Sequence, residues 1–179
     1  MSEEAMVKRW TEQPMLQPRI EKVVINLNVG KSGEPLEKAC GVLQGIAGQK
    51  PVKKNAKMSI RDFGIRKGEP IACVVTLRRQ AAIDILKKIL PVVDNKVSRS
   101  SFDERGNFAF GLKEHIEIPG VKYDPDVGIF GMDVCVTLNR KGDRVNDRRK
   151  RKAKVGKNQV LTPEESILFT KQTLGVEIV

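Results

Sequence analysis

From Val23 to Val29 the chain alternates: Val23, Ile25, Leu27 and Val29 occupy one set of positions, and Val24, Asn26 and Asn28 the other. A period of two predicts a strand with one buried face and one open face. Two further runs repeat the pattern. Ile71, Cys73, Val75 and Leu77 oppose Ala72, Val74, Thr76 and Arg78, and Met132, Val134, Val136 and Leu138 oppose Asp133, Cys135, Thr137 and Asn139. A fourth run sets Val52, Ala56 and Met58 against Lys53, Asn55 and Lys57, with Lys54 breaking the alternation. In each case the open face is short and polar. Asparagine is disfavoured in strands, so Asn26 and Asn28 at alternate positions point to recognition and not only to solvation.

Between these runs the period lengthens to that of a helix. Leu36, Ala39, Cys40, Leu43, Ile46 and Ala47 share one face, with Pro35 at the first helical position and Gly48 where a left-handed residue closes the helix. A second helix is predicted over Gln80–Leu90, with Ala82, Ile83, Leu86, Ile89 and Leu90 inward and Pro91 as its stop. Thr162-Pro163-Glu164-Glu165 is a capping signature for a last helix, with Ile167, Leu168 and Leu174 inward and Gly175 at its end. A short hairpin is predicted around Asp103–Gly106 and a helical turn over Lys113–Ile116, and residues 119–128 read as loop. Met1–Gln17 is a polar N-terminal extension, loosely attached, in which Met15 and Leu16 are the packing candidates. At 179 residues the chain suits one domain, 1–179, with that extension and a basic loop at 140–160.

Charge narrows the function. The chain carries a net +11, so a polyanion is the expected partner. Residues 140–157 hold ten Lys/Arg and two Asp, which leaves only +3 for the rest of the chain. Residues 50–67 hold seven Lys/Arg and one Asp. Both segments read as connections between core elements, and Arg148, Arg149, Lys150, Arg151 and Lys152 are too charged to pack, so they are expected to form a mobile loop. Solubility or a nuclear-import-like signal is the bland explanation for such runs. Their position between core elements, beside open polar strand faces, favours nucleic acid. With one Trp, one Tyr and six Phe, the chain lacks the stacking platforms of single-strand readers, which favours a grip on structured RNA by shape and backbone. No amphipathic basic helix with aromatic anchors suggests a membrane surface, and no stretch reaches the roughly 18 apolar residues of a membrane span. The N-terminus lacks the apolar core of a signal peptide.

Catalytic motifs fail on inspection. Gly30-Lys31-Ser32 resembles the end of a P-loop, but Ile25 stands where the first glycine is required. His115, the one histidine, has no triad around it and reads as structural. Asp124 and Asp126 flank Pro125 and could share a cation, but such a pair in a Gly-rich loop reads as turn chemistry, and the sequence leaves cation binding there open. Cys40, Cys73 and Cys135 are far apart and read as reduced core residues. No cofactor, metal or enzymatic activity is expected.

Several segments taken together resemble a known family. Lys22-Val23-Val24-Ile25-Asn26, the helix start Leu36-Glu37-Lys38-Ala39, Gly48-Gln49-Lys50-Pro51, Ser59-Ile60-Arg61-Asp62-Phe63-Gly64-Ile65-Arg66-Lys67-Gly68, Val75-Thr76-Leu77-Arg78 and Gly131-Met132-Asp133-Val134 are similar to large-subunit ribosomal protein L-five. Past Arg140 the chain resembles the archaeal and eukaryotic branch. The resemblance implies an α+β fold, with helices on one side of an antiparallel sheet and an exposed polar face that grips 5S rRNA in the central protuberance. It assigns Asn26, Gln49 and Thr76 to that grip, and Asn26 and Thr76 fall on open faces already indicated by alternation. On the same alternation Asn28, Lys53, Asn55, Lys57 and Arg78 join them as rRNA-facing residues. The Ser59–Gly68 loop, with Ser59, Arg61, Arg66 and Lys67, matches the segment that approaches the elbow of P-site tRNA. Residues 121–130 match the part that meets the small-subunit head protein S-thirteen in an intersubunit bridge. The implied setting is the cytoplasmic ribosome, with 23S rRNA and other central protuberance proteins nearby. Arg148–Lys152 is a further RNA contact, whose partner the sequence leaves open among 5S rRNA, 23S rRNA and protein. A transient RNA chaperone or assembly factor is the competing reading, and retention on large subunits after a high-salt wash separates the two.

Overall fold

The computed structural model describes residues 3–121, 125 and 128–179. Five strands, β1 Arg19–Asn28, β2 Val52–Asn55, β3 Pro70–Leu77, β5 Phe108–Leu112 and β6 Met132–Asn139, form one antiparallel sheet in the order β2-β3-β1-β6-β5. One face is the core. Register aligns Leu77, Val23, Val136 and Phe108 in one row and Val75, Ile25, Val134 and Phe110 in the next. Helices α2 (Glu34–Ala47) and α3 (Gln80–Ile89) close this face. The opposite face carries no helix of that layer, so the α+β arrangement expected from the resemblance is the one observed.

The caps fall where the sequence indicates. Gly48 is left-handed at φ 66° and its N–H donates to the Gln44 carbonyl. Thr162 and Glu165 form a reciprocal capping box at the start of α5 (Pro163–Leu174). In α3 the buried set is Ala82, Ile85, Leu86 and Ile89, so Ile85 is more deeply buried than Ile83.

Three expectations need correction. The N-terminal extension is not loose: Glu3–Glu12 forms α1, which buries Met6 and Trp10, and Trp10 meets Phe169 of α5 edge-to-face at 6.4 Å. Met15 is 57% exposed instead. The buried face of α5 is Glu165, Ser166, Leu168, Phe169 and Thr170, with Ile167 and Leu174 only half-buried. The cause is Glu165, which is drawn inward by a guanidinium described below. Finally, Cys135 is exposed on the open face of β6, whereas Cys73 is buried and Cys40 half-buried. Burial pushes the Cys73 thiol up to about 12, with a smaller contribution from Cys40.

Two short strands escape any periodicity. β4 (Lys96–Val97) pairs in parallel with β7 (Glu177–Ile178) and ties the C-terminus to the segment after α3. The predicted hairpin exists as a turn at Asp103–Asn107, where the Asp103 carboxylate accepts from the N–H groups of Arg105 and Asn107. The helical turn is a 3-10 turn over His115–Glu117. His115 is structural as expected: it is buried, its Nδ1 accepts from the Phe130 N–H, and its own backbone N–H donates to the Phe130 carbonyl. Asp124 and Asp126 lie outside the described residues. No described helix is long and apolar enough to cross a membrane.

Candidate nucleic-acid interface

The open face of the sheet is built from short side chains. Antiparallel partners point to the same side, so register defines its rows. One row runs Val52, Val74, Asn26, Asp133, Gly111, and the next runs Thr76, Val24, Cys135, Ala109. No side chain in these rows is longer than Asn or Asp, which makes the floor low and flat. Its polar groups are an amide, a hydroxyl, a thiol and a carboxylate. Such a floor suits the wide, shallow minor groove of an RNA helix, where 2′-hydroxyls and base edges lie close to the surface. Asp133 is acceptor-only, so it repels a phosphate and takes a 2′-hydroxyl or an exocyclic amine. Cations stand at the border: Lys22 opposite Thr137, and Lys54 opposite Ala72.

The structure brings Asn26, Asn28 and Thr76 onto this one face. It does not bring all the expected residues there. Lys53 is opposite Cys73, on the helix-bearing side, and its Nζ donates to the Glu37 carboxylate of α2, which raises the Lys53 pKa. Sequence alternation misassigned Lys53 because Val52, 62% exposed, sits on the open face of an edge strand with nothing to bury it. Asn55 lies past a register shift, opposite Pro70. Lys57 is exposed but beyond the end of β2. Gln49 is exposed in the connection ahead of β2 and is not part of the sheet. Arg78 is at the border, where its Nη1 donates to Glu21 at 2.7 Å. Asp133, Cys135, Lys22 and Lys54 are the face residues absent from the set expected on the sequence. The alternation of β6 already carries the first two. Partial desolvation by its neighbours on the sheet, and then the Asp133 charge, raise the pKa of Cys135, whose side chain nonetheless reaches solvent.

The basic segment at 50–67 contains a hairpin-like projection with a defined frame. Ile60 and Ile65 exchange both backbone hydrogen bonds, and Gly64, left-handed at φ 65°, closes the turn Arg61–Gly64. At its base Ala56 bonds with Glu69 and Gly68 through the backbone. The Ser59 hydroxyl accepts from the Lys67 N–H at 2.9 Å, which braces the projection and leaves its O–H free to donate. Glu69 accepts from the Arg66 N–H and from the Ser32 hydroxyl, which ties the projection to the β1–α2 turn; these bonds, the Ser32 one foremost, hold its carboxyl below the usual range. Gly30-Lys31-Ser32 therefore serves as a brace. Exposed on the projection are Arg61 and Phe63 in its turn and Arg66 and Lys67 on the returning limb, with Phe63 at 71% exposure.

The basic segment at 140–157 begins and ends in a buried clamp. Arg140 is 3% exposed; its Nη2 donates to both Glu165 oxygens at 2.6 Å and its Nη1 to the Asn158 carbonyl at 2.9 Å. Gln159 Nε2 donates to the Lys141 carbonyl at 3.3 Å. Hydrogen bonds run within the loop itself. Helix α4 (Arg144–Asp147) opens it, the Arg148 guanidinium donates to the Arg151 carbonyl, Arg151 is left-handed at φ 51°, and the Ala153 N–H returns to the Val145 carbonyl.

The chain matches one family over most of its length. Residues 13–66 match the family model described as ribosomal protein L5, and residues 70–169 match the model for the C-terminus of the same ribosomal family. The chain is 57% identical over 165 residues to the large ribosomal subunit protein uL5 of Pyrobaculum aerophilum, covering 92% of each chain. It is 52% identical over 169 residues to the protein of the same name from Archaeoglobus fulgidus, covering 94% of each. With that of Aeropyrum pernix it shares 47% over 175 residues, 97% of this chain and 91% of the relative.

Proposed function

The chain belongs to the ribosomal protein L5 family, and from that premise we propose that it is a constituent of the large ribosomal subunit that holds 5S rRNA against the open face of its sheet. As a member of this family it is a structural protein and not an enzyme. The observation that carries the reading is the flat row Val74-Asn26-Asp133-Gly111 beside Thr76-Val24-Cys135-Ala109, with Lys22 and Lys54 at its border. Short donors and acceptors meet the sugar and base edges, and the bordering cations meet phosphates, which fix position without reading sequence. The working location is the ribosome.

On this reading the Arg61–Lys67 end of the projection meets P-site tRNA, with Phe63 supplying a flat face for a nucleobase and Arg66 and Lys67 the charge. The 121–130 segment meets the small-subunit head protein S-thirteen.

Asn26→Ala combined with Thr76→Ala is expected to weaken 5S rRNA binding about tenfold or more, since each removes a hydrogen bond worth about 0.5–1.5 kcal/mol. The circular dichroism spectrum stays that of the wild type. Cys135, the exposed thiol of the three, gives an independent readout. Bound 5S rRNA should protect it from alkylation. Unchanged affinity together with an unprotected Cys135 would discard the open face as the binding surface. Neutralising Arg66 and Lys67 to Ala should leave 5S rRNA affinity within about twofold and weaken P-site tRNA retention on reassembled ribosomes; loss of 5S rRNA binding instead would remove the division between face and projection.

A further inference from the structure

The sequence leaves the partner of the basic loop open. The placement of its neck addresses the question. Below the Thr76-Cys135 row, a cleft of about 590 Å³ is floored by Lys22, Arg78 and Thr137 and walled by Arg105, Asn146 and Lys154, with the acids Glu21, Asp143 and Asp147 also in its lining and Glu21 ion-paired with Arg78. Thr137 is two residues along β6 from Cys135, so the floor of the cleft continues the open face of the sheet. Asn146 and Lys154 of the wall belong to the basic loop. Open face and loop therefore meet along one edge on one side of the molecule.

The charged tip cannot stray far from that edge. Asp147 and Lys154 both line the cleft, and the run Arg148–Lys152 leaves and returns between them. Five or six residues going out and back reach roughly 10 Å at most, about one Debye length at physiological salt. The tip is also held as a turn, by the Arg148 guanidinium on the Arg151 carbonyl and the Ala153–Val145 bond. Ion pairs elsewhere engage Arg19, Lys38, Lys53, Arg78 and Arg140; none of the ion pairs among the described residues involves Arg148–Lys152. Five adjacent cations are thus packed into one turn, and no described acid is ion-paired with them.

We propose that the loop at 141–157 is a side wall for the same RNA that lies on the open face: the cleft takes the phosphate backbone where the RNA leaves the sheet, and Arg148–Lys152 closes over it. This inference rests on the open-face reading. It commits the loop to RNA phosphate on that molecule, against docking on a neighbouring protein or a separate RNA.

The test is a salt titration of 5S rRNA binding with the full chain, its Asn26→Ala/Thr76→Ala variant, and an Arg149→Gln/Lys150→Gln/Arg151→Gln variant. Each phosphate contact contributes roughly 0.7–0.9 to the slope of log affinity against log salt, so the loop variant should lose about 2–3 units of slope and at least tenfold in affinity near 0.1 M salt. The face variant should lose affinity with its slope unchanged. A loop variant that matches wild type in slope and affinity overturns the inference and assigns the loop to another partner. A face variant that matches wild type while the loop variant loses slope overturns the open-face reading, and with it the sharing of one RNA.

Discussion

Replacing Arg140 with Ala is expected to cost about 3–5 kcal/mol of folding stability, the range found when one member of a buried ion pair is removed and its partner is left behind. Glu165 is 3% exposed, and Arg140 Nη2 lies 2.6 Å from both of its oxygens. Without the guanidinium, the carboxylate keeps only the 3.4 Å bond from the Thr162 N–H of its own capping box. Glu165→Ala should be as severe, because it strands Arg140 and also breaks the box, a further loss of about 1 kcal/mol. Removing both charges with Arg140→Met and Glu165→Leu should cost less than either single change, since no buried charge is then left unpaired. Urea midpoints of the three variants decide the matter. A loss below about 1 kcal/mol for Arg140→Ala, or additivity in the double variant, would contradict the clamp.

The second large effect is at Gly106. A Cβ there would stand 1.9 Å from Ser166 Oγ, 2.9 Å from Ser166 Cβ and 3.3 Å from the Thr162 carbonyl, at a φ of +75°. Ser166 is fully buried at the start of α5, so it has nowhere to retreat. Gly106→Ala should cost about 1–2 kcal/mol for the left-handed backbone and a further 1–3 kcal/mol or so for overpacking. Gly64→Ala is the control. Its φ is +65°, with nothing within 4 Å of the added methyl, so it should lose the backbone share alone. Equal thermal shifts for the two variants would mean that the turn at Asp103–Asn107 can lift away from α5 at no cost.

Both effects sit where the sequence is hardest to read, and for one reason. Alternation and helical spacing report apolar residues packing on a layer, and they located β1, β3, β6, α2 and α3 well, together with Asn26, Asn28 and Thr76 on one face. They do not report a polar residue taken into the core by a partner 25 positions away, as Arg140 takes Glu165. That pair rotates the buried face of α5 away from Ile167 and Leu174. Helix α1 was missed because two apolar residues, Met6 and Trp10, carry its packing within an otherwise polar segment. β4 and β7 have two residues each, too few for any period. Lys53 was misassigned because an exposed valine on an edge strand looks like a buried one in sequence. The cleft beside the sheet was invisible, because it joins Lys22, Arg105 and Lys154 from three distant segments.

The orientation of Lys53 also bears on how the free protein avoids its own copies. β2 is an edge strand, with one side of its backbone unpaired. Such an edge invites another strand to add to it, and flanking lysines discourage this. Lys53 projects to the helix side and Lys54 to the open side. Another copy seeking to extend its sheet along that edge would meet the Lys54 charge on the open side and the Lys53–Glu37 ion pair on the other. Charged groups on both sides of the vacant edge thus help to keep the free protein from polymerising.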